Sequence, residues 1–189
     1  AGERTALNFA ARLCGVATGT RRYVQALEGT GVSLLDTRKT LPGWRVLDKY
    51  AVAVGGGTNH RHGLFDGILV KDNHIAATGG VGPAVKAART YGPPHLRVAV
   101  EVESAPQAEE ALAAGADILL LDNRSLDELR ELASRFRERV DLEASGGVTL
   151  ETVRAIAETG VHRISVGALT HSAPAADLAL EIRPPGIRL

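Results

Sequence analysis

The stretch at residues 117–150, "DILLLDNRSLDELRELASRFRERVDLEASGGVTL", holds two short apolar runs with a helical pattern between them and a glycine pair behind them. The runs "DILLLD" at 117–122 and "VDLEAS" at 140–145 have the length and composition of buried β-strands. The segment between them, Leu126 to Arg139, predicts a helix. A strand, a helix and a second strand in this order are typical of a parallel sheet.

The same unit recurs along the chain. Further strands are predicted at "VSLLD" (32–36), "GILVK" (67–71), "RVAVEVE" (97–103) and "HRISVG" (162–167). Further helices are predicted over residues 3–29, 106–114 and 149–158. Short strands that alternate with helices indicate an α/β fold with a parallel sheet.

The ends of the strands distinguish between two α/β architectures. No Gly-x-Gly-x-x-Gly fingerprint follows the first strand, so a dinucleotide-binding sheet is not favoured. Polar residues instead lie at or after the carboxyl ends of the strands, with Gly167 after the last one: Arg38, Lys39, Lys71, Glu101, Glu103, Asp122 and Ser145. Since (β/α) barrels build active sites at that end, we predict an incomplete barrel of about six to seven parallel strands. This catalytic domain covers residues 1–189, with residues 1–29 as an entry helix and connection.

Bulk composition limits the classes of partner. The 189 residues carry no formal net charge and are 44% hydrophobic, which fits one ordinary domain. Zero net charge argues against a nucleic acid or an anionic membrane as partner. A lone Cys14 fits a reducing compartment, so we expect a cytoplasmic protein. No apolar run reaches the ~18 residues that a membrane span needs.

The last two strand ends carry small residues. Ser145, Gly146 and Gly147 stand between a strand and a helix, and Gly167 takes the same place one unit later. Small residues let backbone N–H groups approach a ligand, and a following helix N-terminus favours an anion. Because barrels commonly bind phosphate with their final two loops, we expect a phosphate site here.

Acidic residues end two neighbouring strands. Glu101 and Glu103 are two apart and would share a face of their strand, and Asp122 ends the next strand. Carboxylates brought together in this way need a cation, and Mg²⁺ held by one or two of them with substrate phosphates is the natural match. For Glu103, pairing with a neighbouring Lys or Arg is the stronger expectation.

Cations gather near the first two strands. Arg38, Lys39, Arg61 and Lys71 lie on or after them, which indicates a polyanionic substrate. His60 and His62 flank Arg61, and the Gly55–Gly57 run would give their loop conformational freedom. Two histidines at this spacing do not make a zinc site, because zinc needs three or four protein ligands.

Eight motifs follow one another from Glu3 to about His171: "ERTALNF", "LDTRKTLPG", "KYAVAVGGGTNHRHGL", "ILVKDNHI", "VEVE", "LLDN", "SGGVT" and "VGALTH". Together, in this order and spacing, they resemble the quinolinate phosphoribosyltransferase family. The resemblance implies a partly open α/β barrel, quinolinate and phosphoribosyl pyrophosphate as substrates and Mg²⁺ as cofactor. It also implies nicotinate mononucleotide, pyrophosphate and CO₂ as products, a place in NAD synthesis and a homodimer or higher homo-oligomer.

The resemblance also implies roles for individual residues. Thr37 belongs to the substrate-binding motif, and Arg38, His60 and Arg61 would hold the quinolinate carboxylates. Lys39 and Lys71 would meet phosphoribosyl pyrophosphate, and Glu101 and Asp122 would serve its ribose and the metal. Those four, Lys39, Lys71, Glu101 and Asp122, are the expected catalytic residues. The 5′-phosphate side would be held by Ser145, Gly146, Gly147, Gly167 and His171; His62 receives no role.

The same resemblance leads us to expect a further domain ahead of the "ERTALNF" helix, and therefore an incomplete site in this chain. Two other readings remain open. One is a barrel lyase or isomerase acting on a sugar phosphate, with Lys71 forming a Schiff base in a buried apolar pocket. The other is a fragment without catalysis that only binds ligand or associates with itself.

Overall fold

The computed structural model describes residues 2–182 of the chain. Its strands are β1 (Ser33–Leu35), β2 (Ile68–Val70), β3 (Val98–Glu101), β4 (Ile118–Asp122), β5 (Asp141–Ser145) and β6 (Arg163–Ser165). Its helices are α1 (Gly2–Ala26), α2 (Arg45–Val54), α3 (Asp72–Thr78), α4 (Val81–Tyr91), α5 (Ala105–Ala113), α6 (Leu126–Phe136), α7 (Val153–Ala157) and α8 (Ala168–His171). No helix in this range is both long enough and apolar enough to cross a membrane.

The six strands form one parallel sheet in the order β1-β6-β5-β4-β3-β2. This order follows the chain around a ring and joins the last strand to the first, as in a barrel. The ring stays open between β1 and β2. At that gap Thr58 forms an isolated parallel bridge with Leu35, so the segment before β2 covers part of the free edge of β1. The predicted incomplete barrel is confirmed.

The strands are apolar because helices cover the outer face of the sheet. In β4, Ile118 to Leu121 are all buried, as expected for a parallel strand packed on both faces. The helix α6 turns one apolar stripe inward, and Ser125 with Glu128 forms a capping box that starts it. The buried members of that stripe are Leu129, Leu132, Ala133 and Phe136. Sequence periodicity therefore located α6 well.

Other boundaries differ from the sequence prediction. The strand predicted over 97–103 ends at Glu101, because Ser104 caps α5 and Gln107 accepts the Glu103 N–H over 2.7 Å. Glu103 lies beyond the strand, so the prediction that it shares a strand face with Glu101 is wrong. The helix predicted over 149–158 spans only Val153–Ala157, since Thr152 first accepts the Thr149 N–H in a turn.

The helix α1 packs against α2 and α8. Arg12 forms an ion pair with the fully buried Asp48 of α2 and also donates to the Thr170 carbonyl in α8. A Cβ at Gly55 would lie 2.5 Å from the Ala17 carbonyl oxygen of α1. Gly55 and Gly57 are thus required for close packing, while Gly56, with φ +91°, uses the conformational freedom of glycine that the sequence led us to expect.

Candidate active site

A cavity of about 450 Å³ opens at the carboxyl ends of the strands, a size typical of small-molecule sites. It brings together twelve of the thirteen predicted site residues: Thr37, Arg38, Lys39, His60, Arg61, Lys71, Asp122, Ser145, Gly146, Gly147, Gly167 and His171. Glu101 lies in an adjoining groove with Asp72 and Glu103. His62 stands outside the cavity and bonds to Asp66 through its backbone N–H. The convergence expected from the strand ends is therefore present.

The cavity is electropositive on the side of β1. In the described residues, no carboxylate lies within 4.0 Å of the charged groups of Arg38, Lys39 or Arg61. Burial and the nearby charge of Arg38 lower the pKa of Arg61, against the weaker effect of Asp66. Two guanidinium groups that repel each other at one wall form a site that a dianion would stabilise.

A buried ion pair fixes the two loops that carry these cations. Asp36, at the end of β1, accepts from Lys49 Nζ and, over 2.7 Å, from the His60 N–H. Lys49 Nζ also donates to the His60 carbonyl over 2.8 Å, and Asn59 donates to Asp36 and to the Lys49 carbonyl. Asp36 and Lys49 are both fully buried. Burial raises the pKa of Asp36, and the hydrogen bond and charge of Lys49 oppose that shift.

A second buried carboxylate lies below His60. Glu143 on β5 is 1% exposed, with Oε1 3.2 Å from His60 Nε2 and Oε2 3.3 Å from Arg163 Nε. Burial favours a higher pKa for Glu143, but His60, Arg163 and Ser165 together outweigh it and hold the pKa below its ordinary value of 4.5. The other ring nitrogen of His60, Nδ1, accepts the Arg61 N–H over 2.8 Å.

The two predicted metal-site carboxylates lie in different surroundings. Asp122 lines the cavity and accepts from Ser145 Oγ and, over 2.9 Å, from Asn123 Nδ2. Glu101 Oε2 lies 3.1 Å from Lys71 Nζ as an ion pair, yet this buried oxygen lacks an aligned hydrogen bond. Glu103 contacts Arg124 through its backbone carbonyl rather than through its carboxylate.

A fully protein-ligated metal does not fit this arrangement. Residues 2–182 contain no group of three or more His, Cys, Asp or Glu side chains placed to hold a metal. A Mg²⁺ ion that takes most of its ligands from substrate phosphates and water does fit, because it needs only one or two carboxylates. Asp122 in the cavity and Glu101 in the adjoining groove are two such carboxylates, and Glu101 Oε2 already lies 3.1 Å from Lys71 Nζ.

The glycine loops after β5 and β6 also line the cavity. Gly146 has φ +90°, and a Cβ there would overlap the Asn123 side chain. Gly147 has φ +58° with open space above it. A Cβ added at Gly167 would lie 3.1 Å from both Lys39 Cδ and His171 Cδ2. Close approach of backbone to ligand at such loops suits a phosphate group.

The position of Lys39 is fixed from α8. Thr170 Oγ1 donates to the Lys39 carbonyl over 2.8 Å, and the Lys39 alkyl chain lies beside Gly167. Lys71, in contrast, is exposed and paired with Glu101. The buried apolar surroundings that a Schiff-base lysine needs are therefore missing around Lys71.

Sequence reasoning missed three polar residues of the cavity, Asn123, Glu143 and Ser165. It considered only residues at or after the strand ends, whereas Glu143 lies inside β5. Its signal was present: an acid in the apolar run "DLEAS", two residues before Ser145 and so on the same face. Asn123, in "LLDN", adopts a left-handed backbone with φ 51°.

Comparison with known proteins gives consistent matches. The sequence model described as "Quinolinate phosphoribosyl transferase, C-terminal domain" matches residues 16–181. A probable carboxylating nicotinate-nucleotide pyrophosphorylase of Bacillus subtilis is 48% identical over 96% of this chain, and one of Mycobacterium leprae is 46% identical over 95%. The matched regions make up 63% and 64% of those relatives, so the chain spans under two thirds of their length.

A solved structure agrees with the sequence matches. The nicotinate-nucleotide pyrophosphorylase of Francisella tularensis superposes with a TM-score of 0.90 at 46% identity, covering 94% of this chain and 63% of that one. The enzyme of the same name from Pyrococcus furiosus, at 21% identity and a TM-score of 0.74, shares the fold. The family model covers most of the chain, and six of the eight motifs that carry the resemblance contribute residues to one cavity. This chain therefore belongs to the quinolinate phosphoribosyltransferase family.

Proposed function

We propose that this chain carries out phosphoribosyl transfer from phosphoribosyl pyrophosphate to quinolinate with decarboxylation. The products would be nicotinate mononucleotide, pyrophosphate and CO₂, which makes the protein a pentosyltransferase of NAD synthesis. One observation carries the proposal: Arg38, Lys39 and Arg61 line the same cavity as the glycine loops and have no carboxylate partner among the described residues. The names of its relatives support the same reaction.

Quinolinate fits the electropositive wall. It carries two adjacent carboxylates, and Arg38 and Arg61 supply two guanidinium groups, which suit carboxylates through paired hydrogen bonds. Nicotinate has one carboxylate and would leave one guanidinium uncompensated. The chain should therefore prefer quinolinate.

The sugar phosphate fits the part of the cavity that the glycine loops line. Backbone N–H groups of the loops at Gly146, Gly147 and Gly167, with Ser145 and His171, would hold the 5′-phosphate. Lys39 and Lys71 would face the pyrophosphate, and Asp122 and Glu101 would serve the ribose. In this arrangement the ring nitrogen of quinolinate is directed at the ribose carbon that bears pyrophosphate.

Charge development explains the choice of residues. Breaking the bond between ribose and pyrophosphate leaves positive charge on the sugar, which carboxylates stabilise, and negative charge on the leaving group, which lysines stabilise. Mg²⁺, held by Asp122 and Glu101 together with substrate oxygens, would supply further neutralisation of the pyrophosphate. The carboxylate beside the ring nitrogen then leaves as CO₂, and its electron pair stays on the ring carbon, which takes a proton.

A lyase or isomerase that forms a Schiff base is not favoured, since Lys71 is exposed and paired with Glu101 at 3.1 Å. A turnover assay distinguishes a catalytic chain from one that only binds ligand. The test is to supply quinolinate, phosphoribosyl pyrophosphate and Mg²⁺ and to measure nicotinate mononucleotide and CO₂, with nicotinate as the competing acceptor. Equal or better use of nicotinate would overturn the substrate assignment.

We also propose a homodimer or higher homo-oligomer in the cytoplasm. Support for association comes from α2, where Val46, Tyr50 and Val54 are 74%, 65% and 61% exposed. Their spacing of four residues places them on one face of the helix, and exposed apolar faces of this kind mark contact surfaces. Sedimentation velocity measures the assembly. A monomer at all concentrations would contradict this part of the proposal.

A further inference from the structure

Arg45, the first residue of α2, joins the two cation-bearing loops. Its Nε donates to Thr40 Oγ1 over 3.1 Å, and its Nη2 donates to the Arg38 carbonyl over 3.3 Å. Its Nη1 donates to the His62 carbonyl over 3.1 Å. One guanidinium therefore contacts the residues on either side of Lys39 and the residue that follows Arg61.

Helix stability does not explain an arginine at this position. A cation in the first turn of a helix is unfavourable for the helix dipole, which prefers an anion there. No ion pair of Arg45 with a carboxylate is found within residues 2–182. Arg45 is also absent from the lining of the cavity, so it is not placed to contact a ligand directly.

The two loops need such a connection because their cations repel each other. Burial, followed by the nearby charge of Arg38, lowers the pKa of Arg61, and both arginines line the cavity with no carboxylate partner among the described residues. The buried pair Asp36–Lys49 fixes the inner ends of both loops through His60. On the outer side, Arg45 alone among the described residues contacts both loops by side-chain hydrogen bonds.

We propose that Arg45 is a positioning residue that sets the spacing of Arg38 and Arg61 and thereby the preference for an adjacent dicarboxylate. This inference rests on the proposed function. Arginine suits the role because its planar fork presents several donors in fixed directions. Lysine carries the same charge on a single nitrogen and cannot reach all three acceptors.

The first experiment needs no substrate. Amide hydrogen exchange is followed in residues 37–41 and 60–66 of the parent chain, Arg45→Gln, Arg45→Lys and Arg89→Gln. Arg89 is the control, since it also donates to two backbone carbonyls, those of Gly115 and Leu96, outside the cavity lining, and in addition pairs with Asp117. We expect amide exchange in both segments to become about tenfold faster in Arg45→Gln. The increase in rate should be smaller in Arg45→Lys, and the rate should not change in Arg89→Gln.

The second experiment measures binding of two probes by calorimetry. In Arg45→Gln, quinolinate affinity should fall by about tenfold while inorganic phosphate affinity stays within about twofold. A merely structural role would lower both affinities together, in proportion to the folded fraction. Arg45→Lys should recover part of the quinolinate affinity.

The outcomes separate this inference from the proposed function. Unchanged exchange in either loop, or unchanged quinolinate affinity in a parent that binds quinolinate, would overturn the role of Arg45. Equal losses for quinolinate and phosphate would overturn it as well. If both loops loosen but the parent binds no quinolinate, the substrate assignment fails and the connection between the loops stands.

Discussion

The carboxylate of Glu143 lies 3.2 Å from Nε2 of His60, while Nδ1 of the same ring accepts the backbone N–H of Arg61. An accepting Nδ1 carries no proton, so in neutral His60 the proton is on Nε2 and is donated to Glu143. Both ring nitrogens are thus engaged by the protein. We expect His60 to orient Arg61, rather than to donate to a ligand carboxylate itself.

Glu143→Gln should destabilise the fold. Glu143 lies between His60 and Arg163, and its loss leaves the charge of Arg163 beside a neutral amide in a buried site. Removing one partner of a buried pair costs about 3 kcal/mol of unfolding free energy. Urea unfolding measures the change. Glu109→Gln breaks an exposed pair with Arg139 and serves as the control, with no measurable loss expected.

The stability of the parent should fall at acid pH because of the same carboxylate. The pKa of Glu143 in the folded state lies below its ordinary value of 4.5. Its contribution is therefore fully present above pH 4.5 and is lost as pH falls through the folded pKa. In this window the unfolding free energy of Glu143→Gln should vary less steeply with pH than that of the parent. If the unfolding free energies of the two proteins changed with pH in parallel, the pKa of Glu143 would not be lowered in the folded state.

Arg61→Lys should weaken quinolinate binding. The change keeps the charge but removes the planar guanidinium group, so the binding free energy of quinolinate should weaken by about 1–3 kcal/mol. It also removes the Nη1 hydrogen bond to the Gly67 carbonyl, and a thermal unfolding scan checks that the fold survives. Isothermal titration with quinolinate gives the affinity. An affinity equal to that of the parent would show that Arg61 does not bind this ligand.

The sequence predicted the strands better than the connections. The apolar runs that became β4 and β5 are buried on both faces and bounded by helical patterns, so their identity was clear. The helices α2, α3, α4 and α8 were not predicted. The residues of α2, α3 and α8 were considered as motif positions, and α3 begins directly after the site residue Lys71. The helix α4 is as long as α6, but Gly80 precedes it and no side chain caps its start.

The candidate site was predictable wherever a residue ends a strand. Arg38, Asp122 and Gly167 follow this rule and line the cavity. Glu143 and Arg45 do not follow it: one lies within a strand and the other acts on loops through backbone carbonyls. Contacts that depend on which distant carbonyl lies nearby are set by tertiary packing, and no spacing rule in a single sequence reports them.

Gly146→Ala should impair phosphate binding and stability together. The position has φ +90° and an added Cβ would overlap Asn123, which itself bonds Asp122. Gly29→Ala is a control for backbone strain alone, since Gly29 has φ +78° with open space and precedes β1 at the other end of the strand. Strain of this kind costs about 1–2 kcal/mol. Both variants should lose stability, but only Gly146→Ala should lose affinity for inorganic phosphate.

Asp122→Asn and Glu101→Gln should reduce the effect of Mg²⁺ on binding of phosphoribosyl pyrophosphate. Each amide keeps the shape of the side chain but loses the charge that a hard cation requires. The control is Glu131→Gln, because Glu131 is exposed on α6 and lies outside both the cavity and the groove that holds Glu101. Titrations with and without Mg²⁺ report the coupling independently of turnover.

The thermal midpoint separates a metal-binding role from a structural one. Glu101 pairs with the exposed Lys71, and exposed pairs contribute about 0–1 kcal/mol to stability. Asp122 accepts hydrogen bonds from Ser145 and Asn123, and the isosteric amide introduced by Asp122→Asn still accepts in part through its oxygen. The midpoints of both variants should therefore stay close to that of the parent while the Mg²⁺ dependence falls. A large drop in the midpoint with an unchanged Mg²⁺ dependence would instead assign both carboxylates to the fold.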